Sequence, residues 1–98
     1  MAEIDTEAIL NRIPTYKDVE GYILLTSEGH FLKSSFDNSV CSQYAELWYR
    51  VADQARSAIK DMDALNDLTF LRVRTKKNEV LIAPDPQFLL IVFRSLTN

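Results

Sequence analysis

The chain is poor in the residues that usually carry chemistry. Its 98 residues include one cysteine, one histidine, two glycines and three prolines. A single cysteine excludes an intramolecular disulfide and agrees with a reducing compartment. A zinc site needs three or four good ligands, and His30 and Cys41 supply no such cluster. Two isolated glycines cannot make a phosphate-cradling loop, and they leave little flexible chain. No apolar run approaches the ~20 residues of a membrane span. The first residues carry Glu3, Asp5 and Glu7 and lack the apolar centre of a secretory signal. A cytosolic protein is expected. There is no excess of positive charge either: the net charge is -3 and the pI is near 5. General attraction to nucleic acid or to an anionic membrane is not expected.

What is abundant is apolar surface. Hydrophobic residues make up 47% of the chain and charged residues 26%, an ordinary balance for one globular domain. The longest pattern runs from Val40 to Met62. Wound as a helix, it places Val40, Cys41, Tyr44, Ala45, Leu47, Trp48, Val51, Ala52, Ala55, Ala58, Ile59 and Met62 within an arc of about 160°. A surface helix resting on one sheet needs only about 100°. The extra width is accounted for either by deep burial in the chain's own fold or by two partners: its own sheet on one flank, a second copy of the chain on the other. Cys41 falls inside this arc, where an inert buried thiol is the usual state, so a catalytic pair with His30 is not expected.

Shorter patterns surround the helix. A first helix is expected over Thr6–Ile13, capped by Asp5 and ended by Pro14. Val19–Thr26 reads as a strand whose unbroken Tyr22–Leu25 run implies cover on both faces. Gly29 supplies the turn, and His30–Ser35 returns as a more mixed strand suited to an edge. Asn38 or Ser39 is expected to cap the long helix, and Glu46 and Arg50 to pair on its wet side. Leu68–Thr75 is expected as a third strand, with Leu68, Phe70, Arg72 and Arg74 on one face. Glu79–Ala83 and Phe88–Phe93 follow as strands, separated by a turn with Pro86 at its favoured second position. The order is αββαβββ with hairpin-length connections, hence a five-stranded, mainly antiparallel sheet in an α+β sandwich with helices on both faces. Two helices, one of them short, leave scant cover for two faces, which is a second reason to expect a partner. The third strand is an edge whose arginines guard against unwanted pairing, yet its β-forming residues suit pairing with its own copy about a two-fold axis.

Other chemistry is thin. Asp61 and Asp63 resemble the opening of a calcium loop, but Asn66 stands where that loop needs glycine and Arg72 where it needs glutamate. Arg72, Arg74, Lys76 and Lys77 form a basic run, read either as a solvated edge or as a contact for an acidic partner segment. Nucleic acid fits poorly, for want of interleaved aromatics and because the chain is acidic.

The residues Asn66 to Arg74, with Lys76–Glu79 and Ala83–Asp85, resemble the roadblock family of dynein light chains. The resemblance extends through Gly21, Glu28–Gly29, Lys33–Ser34, Asp37–Asn38, Gln43–Ala45 and Ala55–Ser57, nearly the whole chain. It implies one roadblock domain over residues 1–98 that pairs with itself or a paralogue through the long helix and third strand, giving a ten-stranded sheet. The interface residues implied are Tyr44, Leu47, Trp48, Val51, Ala55, Ala58, Leu68, Phe70, Arg72 and Arg74. The implied role is non-enzymatic, with no cofactor, metal or small-molecule substrate. It is that of a light chain binding the dynein intermediate chain, in the cytoplasm on microtubules or in an axoneme. Arg72, Arg74, Lys76 and Lys77 are the candidate partner contacts. A roadblock-fold regulator or scaffold for a small GTPase is the alternative.

Overall fold

The computed structural model describes residues 19–96. Within them the chain forms β1 (Val19–Thr26), β2 (Phe31–Ser34), a long helix (Asn38–Met62), β3 (Leu71–Arg74), β4 (Asn78–Pro84) and β5 (Phe88–Ser95). The expected first helix over Thr6–Ile13 lies outside the described residues. The strands make one sheet in the order β2-β1-β5-β4-β3, and every neighbouring pair is antiparallel. The edges are therefore β2 and β3, the two strands with mixed composition.

The unbroken apolar strands lie centrally because both of their faces are covered. Ile23, Leu25, Val80, Ile82, Leu89, Ile91 and Phe93 point to the helix side, where they meet Cys41 and Ala52. Leu24, Leu81, Phe88, Leu90 and Val92 form a second buried cluster; strand alternation puts them on the opposite face. The helix has 25 residues, so it is about 37 Å long, and it carries the chain from the β2 edge to the β3 edge.

Both glycines have a local reason. Gly29 has a φ of 98° in the β1–β2 turn, a region L-residues with a Cβ avoid. A Cβ on Gly21 would sit 2.5 Å from the Phe36 ring and 2.8 Å from Ser35 Oγ. That ring packs edge-on against Tyr44 and Phe93, so the absent side chain makes room for the aromatic group that seats the start of the helix.

Three expectations need correction. The helix cap is Asp37, not Asn38 or Ser39. Asp37 holds an extended backbone (φ −61°, ψ 150°) with no side-chain cap bond, while its carbonyl accepts from Cys41 N at 2.8 Å. The third strand is also shorter than Leu68–Thr75. Asn66 Oδ1 accepts from Asp67 N at 2.9 Å, and Asp67 Oδ1 from Leu68 N at 2.7 Å. These local bonds divert the segment from the ladder, and Arg56 lies 3.4 Å from Asp67. Leu68 and Phe70 therefore do not line up with Arg72 and Arg74 on one strand face. Finally, Asn78 opens β4 instead of belonging to the turn: Thr75 N donates to Asn78 O at 2.8 Å. The expected Glu46–Arg50 pair is present at 3.0 Å.

Candidate interaction surface

The helix's apolar arc divides into two parallel rows. Cys41 and Ala52 are buried, with Ala45, Trp48 and Tyr49 packed beside them against the sheet. Trp48 stands edge-on to Phe93 at 6.3 Å. One position earlier at each turn, Val40, Tyr44, Leu47 and Val51 keep 37–47% of their surface exposed. Their spacing of four, three and four residues keeps them on one line, and Ala58 and Met62 continue it, also exposed. A shallow, open groove of about 370 Å³ lies among Leu47, Trp48, Arg50, Val51 and Gln54.

The direction of this row follows from Tyr49, whose ring lies where a Cβ on Gly29 would be 3.0 Å away. Tyr49 thus rests on the β1–β2 hairpin. On a helix of 100° per residue the exposed row lies roughly opposite Tyr49. It is therefore turned away from the β1–β2 hairpin. At one edge of the sheet, β3 has a single ladder partner, β4, so its other row of backbone N–H and C=O groups is a template for further pairing. Phe70, half exposed, lies just before it.

The other residues named from sequence are placed as follows. Ala55 is half-buried and Leu68 is buried within its own chain. Lys76 and Lys77 are exposed in the β3–β4 turn. Arg72 and Arg74 project from β3 around Glu79, a residue the sequence reading gave no role. Glu79 Oε1 accepts from Arg94 Nη1 at 3.1 Å, and Oε2 lies 3.3 Å from Arg74 Nε and 3.4 Å from Arg72 Nε. One signal for it was available. A lone carboxylate at the mouth of an apolar strand, with arginines at matching positions on the strands before and after, needs them to be buried.

Among the described residues, no group of three or more His, Cys, Asp or Glu side chains is arranged to hold a metal. Cys41 is a buried free thiol, whereas His30 is exposed in the hairpin turn. No helix among the described residues is long and apolar enough to cross a membrane.

The model of the Roadblock/LC7 domain matches residues 5–94. The chain belongs to the Roadblock/LC7 family. Solved structures agree on the fold. The crystal structure of a Roadblock/LC7 domain from Streptomyces avermitilis superposes with a TM-score of 0.74 at 16% identity, over 96% of this chain and 79% of that one. Myxococcus xanthus MglB superposes with a TM-score of 0.64 at 14% identity, over 79% of this chain and 64% of MglB. At such identities the likeness speaks for the architecture alone. The five-stranded antiparallel sheet with its long helix is thus a roadblock fold.

Proposed function

We propose that this roadblock domain is a non-catalytic scaffold that works as a dimer, either of itself or with a paralogue. One observation carries the reading: the exposed row Val40, Tyr44, Leu47 and Val51 runs beside a helix face already buried in the chain's own core, in a fold that also leaves β3 as an open sheet edge. A second copy placed about a two-fold axis covers both at once. Helix row meets helix row, and β3 pairs with β3 to give ten strands.

The finer reading is a light chain of a dynein motor. It binds the dynein intermediate chain and helps attach cargo for minus-end-directed transport on microtubules, in the cytoplasm. What supports it is the three stretches Asn66 to Arg74, Lys76–Glu79 and Ala83–Asp85, which resemble roadblock dynein light chains. A second reading, a scaffold or regulator of a small GTPase, draws support from the bacterial chains that share the architecture, since the fold by itself does not tie a chain to a motor. Affinity purification of the tagged full chain, with identification of the co-purifying proteins, separates the two. Retrieval of a dynein intermediate chain is expected. Retrieval of a GTPase with no dynein chain reverses the order.

A further inference from the structure

The sheet face turned away from the long helix carries a cluster of charges around one buried carboxylate. Among the described residues, Glu79 is the one buried charged side chain, with no exposed surface. Its carboxylate gathers guanidinium groups from three strands: Arg72 and Arg74 of β3 and Arg94 of β5. The register explains the convergence. Arg74 and Arg94 are the cross-strand neighbours of Glu79 on either side, and Arg72 is two residues along on the same face. Two of these guanidinium groups, Arg72 and Arg74, stand side by side on β3, and Lys76 and Lys77 are exposed in the adjoining turn.

Charges that only guard a strand edge are best left in water and need no buried counter-ion. Taking a carboxylate out of water costs several kcal/mol unless good partners offset it. Here the result is that Arg72 and Arg74 are held in place while 52% and 66% of their side chains remain exposed. A guanidinium has five N–H donors, so a hold through Nε leaves donors for a second anion. Ordering a free arginine on binding costs about 0.5–1.5 kcal/mol, and anchoring removes part of that cost in advance. The two side chains project from alternate residues of one strand, so their bases lie about 6.6–6.8 Å apart. Alternate residues of any extended segment have the same spacing.

We infer that Arg72 and Arg74, anchored on the buried Glu79, form a seat for an extended acidic peptide segment of a partner protein, with carboxylates at every second residue. That the segment belongs to a docked partner rests on the scaffold reading. The seat does not compete with edge pairing, which uses the backbone of β3 in the plane of the sheet, whereas the arginines stand above that plane.

The test is fluorescence anisotropy of the full chain with two labelled peptides, one alternating glutamate and threonine, the other with as many glutamates set at every third residue. The alternating peptide binds about tenfold more tightly, the equivalent of 1.4 kcal/mol. Changing Arg72→Gln and Arg74→Gln together lowers its affinity by a similar factor. Glu79→Gln is the decisive variant. Charge alone strengthens both peptides together, because a negative group has gone. Loss of the fixed spacing brings the two affinities to parity. If Glu79→Gln does not fold, Glu79→Asp keeps the charge on a shorter arm and gives the same parity. Equal affinities in the unaltered chain, or a preference that survives both the arginine and the glutamate changes, overturns the seat. Molecular mass measured on the same samples keeps the two ideas apart. A single copy that retains the spacing preference refutes the dimeric scaffold and not the seat, and a dimer with no preference refutes the seat alone.

Discussion

Placing glutamates in the exposed helix row, as Leu47→Glu with Val51→Glu, should separate the proposed dimer without unfolding the chain. The magnitude follows from exposure. Val40, Tyr44, Leu47 and Val51 each keep about two fifths of their surface uncovered. Full burial of such a side chain is worth about 1.5–3 kcal/mol, so covering what remains yields about 0.6–1.2 kcal/mol each. Over both copies the row contributes about 5–10 kcal/mol, which is comparable with the ~4–15 kcal/mol that association costs. The row is therefore necessary but not sufficient, and edge pairing by β3 must supply the rest. Replacing two of the four residues in each copy removes about half of the row's contribution. That weakens the dimer by about 70- to 5,000-fold, before like-charge repulsion between the new carboxylates is counted. Sedimentation equilibrium across a concentration series reads the shift, with circular dichroism to confirm the fold. Ser42→Glu with Ser57→Glu is the control: both residues are exposed on the same helix but lie off the row. An unaltered chain that remains a single copy at micromolar concentration refutes the reasoning. So does a control that dissociates as readily as the row variant.

Other outcomes concern stability. Gly21→Ala should cost about 1–3 kcal/mol in thermal or urea melts, because a methyl group displaces the Phe36 ring from a filled site. Gly29→Ala should cost about 1–2 kcal/mol from its left-handed backbone, and more if Tyr49 must also shift. Glu79→Gln should cost about 1–3 kcal/mol in the same melts, less than an ordinary broken buried pair, since two of the three arginines left behind are already more than half exposed. Arg50→Ala should change stability by no more than about 0.5 kcal/mol, because its pair with Glu46 is held on the wet side of the helix; a larger loss would mean that Arg50 has a structural role beyond that pair.

The parts of the fold that were legible in the sequence are those governed by periodicity. Tyr22–Leu25 and Phe88–Phe93 are apolar without interruption, and burial on both faces is what such runs require. The long helix was legible through its arc, and its excess width corresponds to the exposed row beside the buried one. What was not legible depended on bonds between particular side chains and the backbone. Leu68–Phe70 has strand propensity, but carbonyl and carboxylate groups at Asn66 and Asp67 capture the N–H groups that open it. The helix start depended on the backbone of Asp37, which no local preference distinguished from Asn38 and Ser39. The role of Glu79 was hidden for a different reason. It rests on register across three strands, and only the ladder brings Arg72, Arg74 and Arg94 to one carboxylate.

That carboxylate also alters how the sheet comes apart. A terminal strand of four residues with a single neighbour is ordinarily the first to fray. Here β3 is laced to its neighbours from above as well as along its backbone, because one buried group in β4 grips two side chains of β3 and one of β5. The outermost strand cannot peel away without breaking two of the three ion pairs of Glu79 and leaving it Arg94 alone, so its amides should exchange with solvent more slowly than those of the equally short β2. A margin kept this stiff offers an incoming chain a straight rail instead of a loose end.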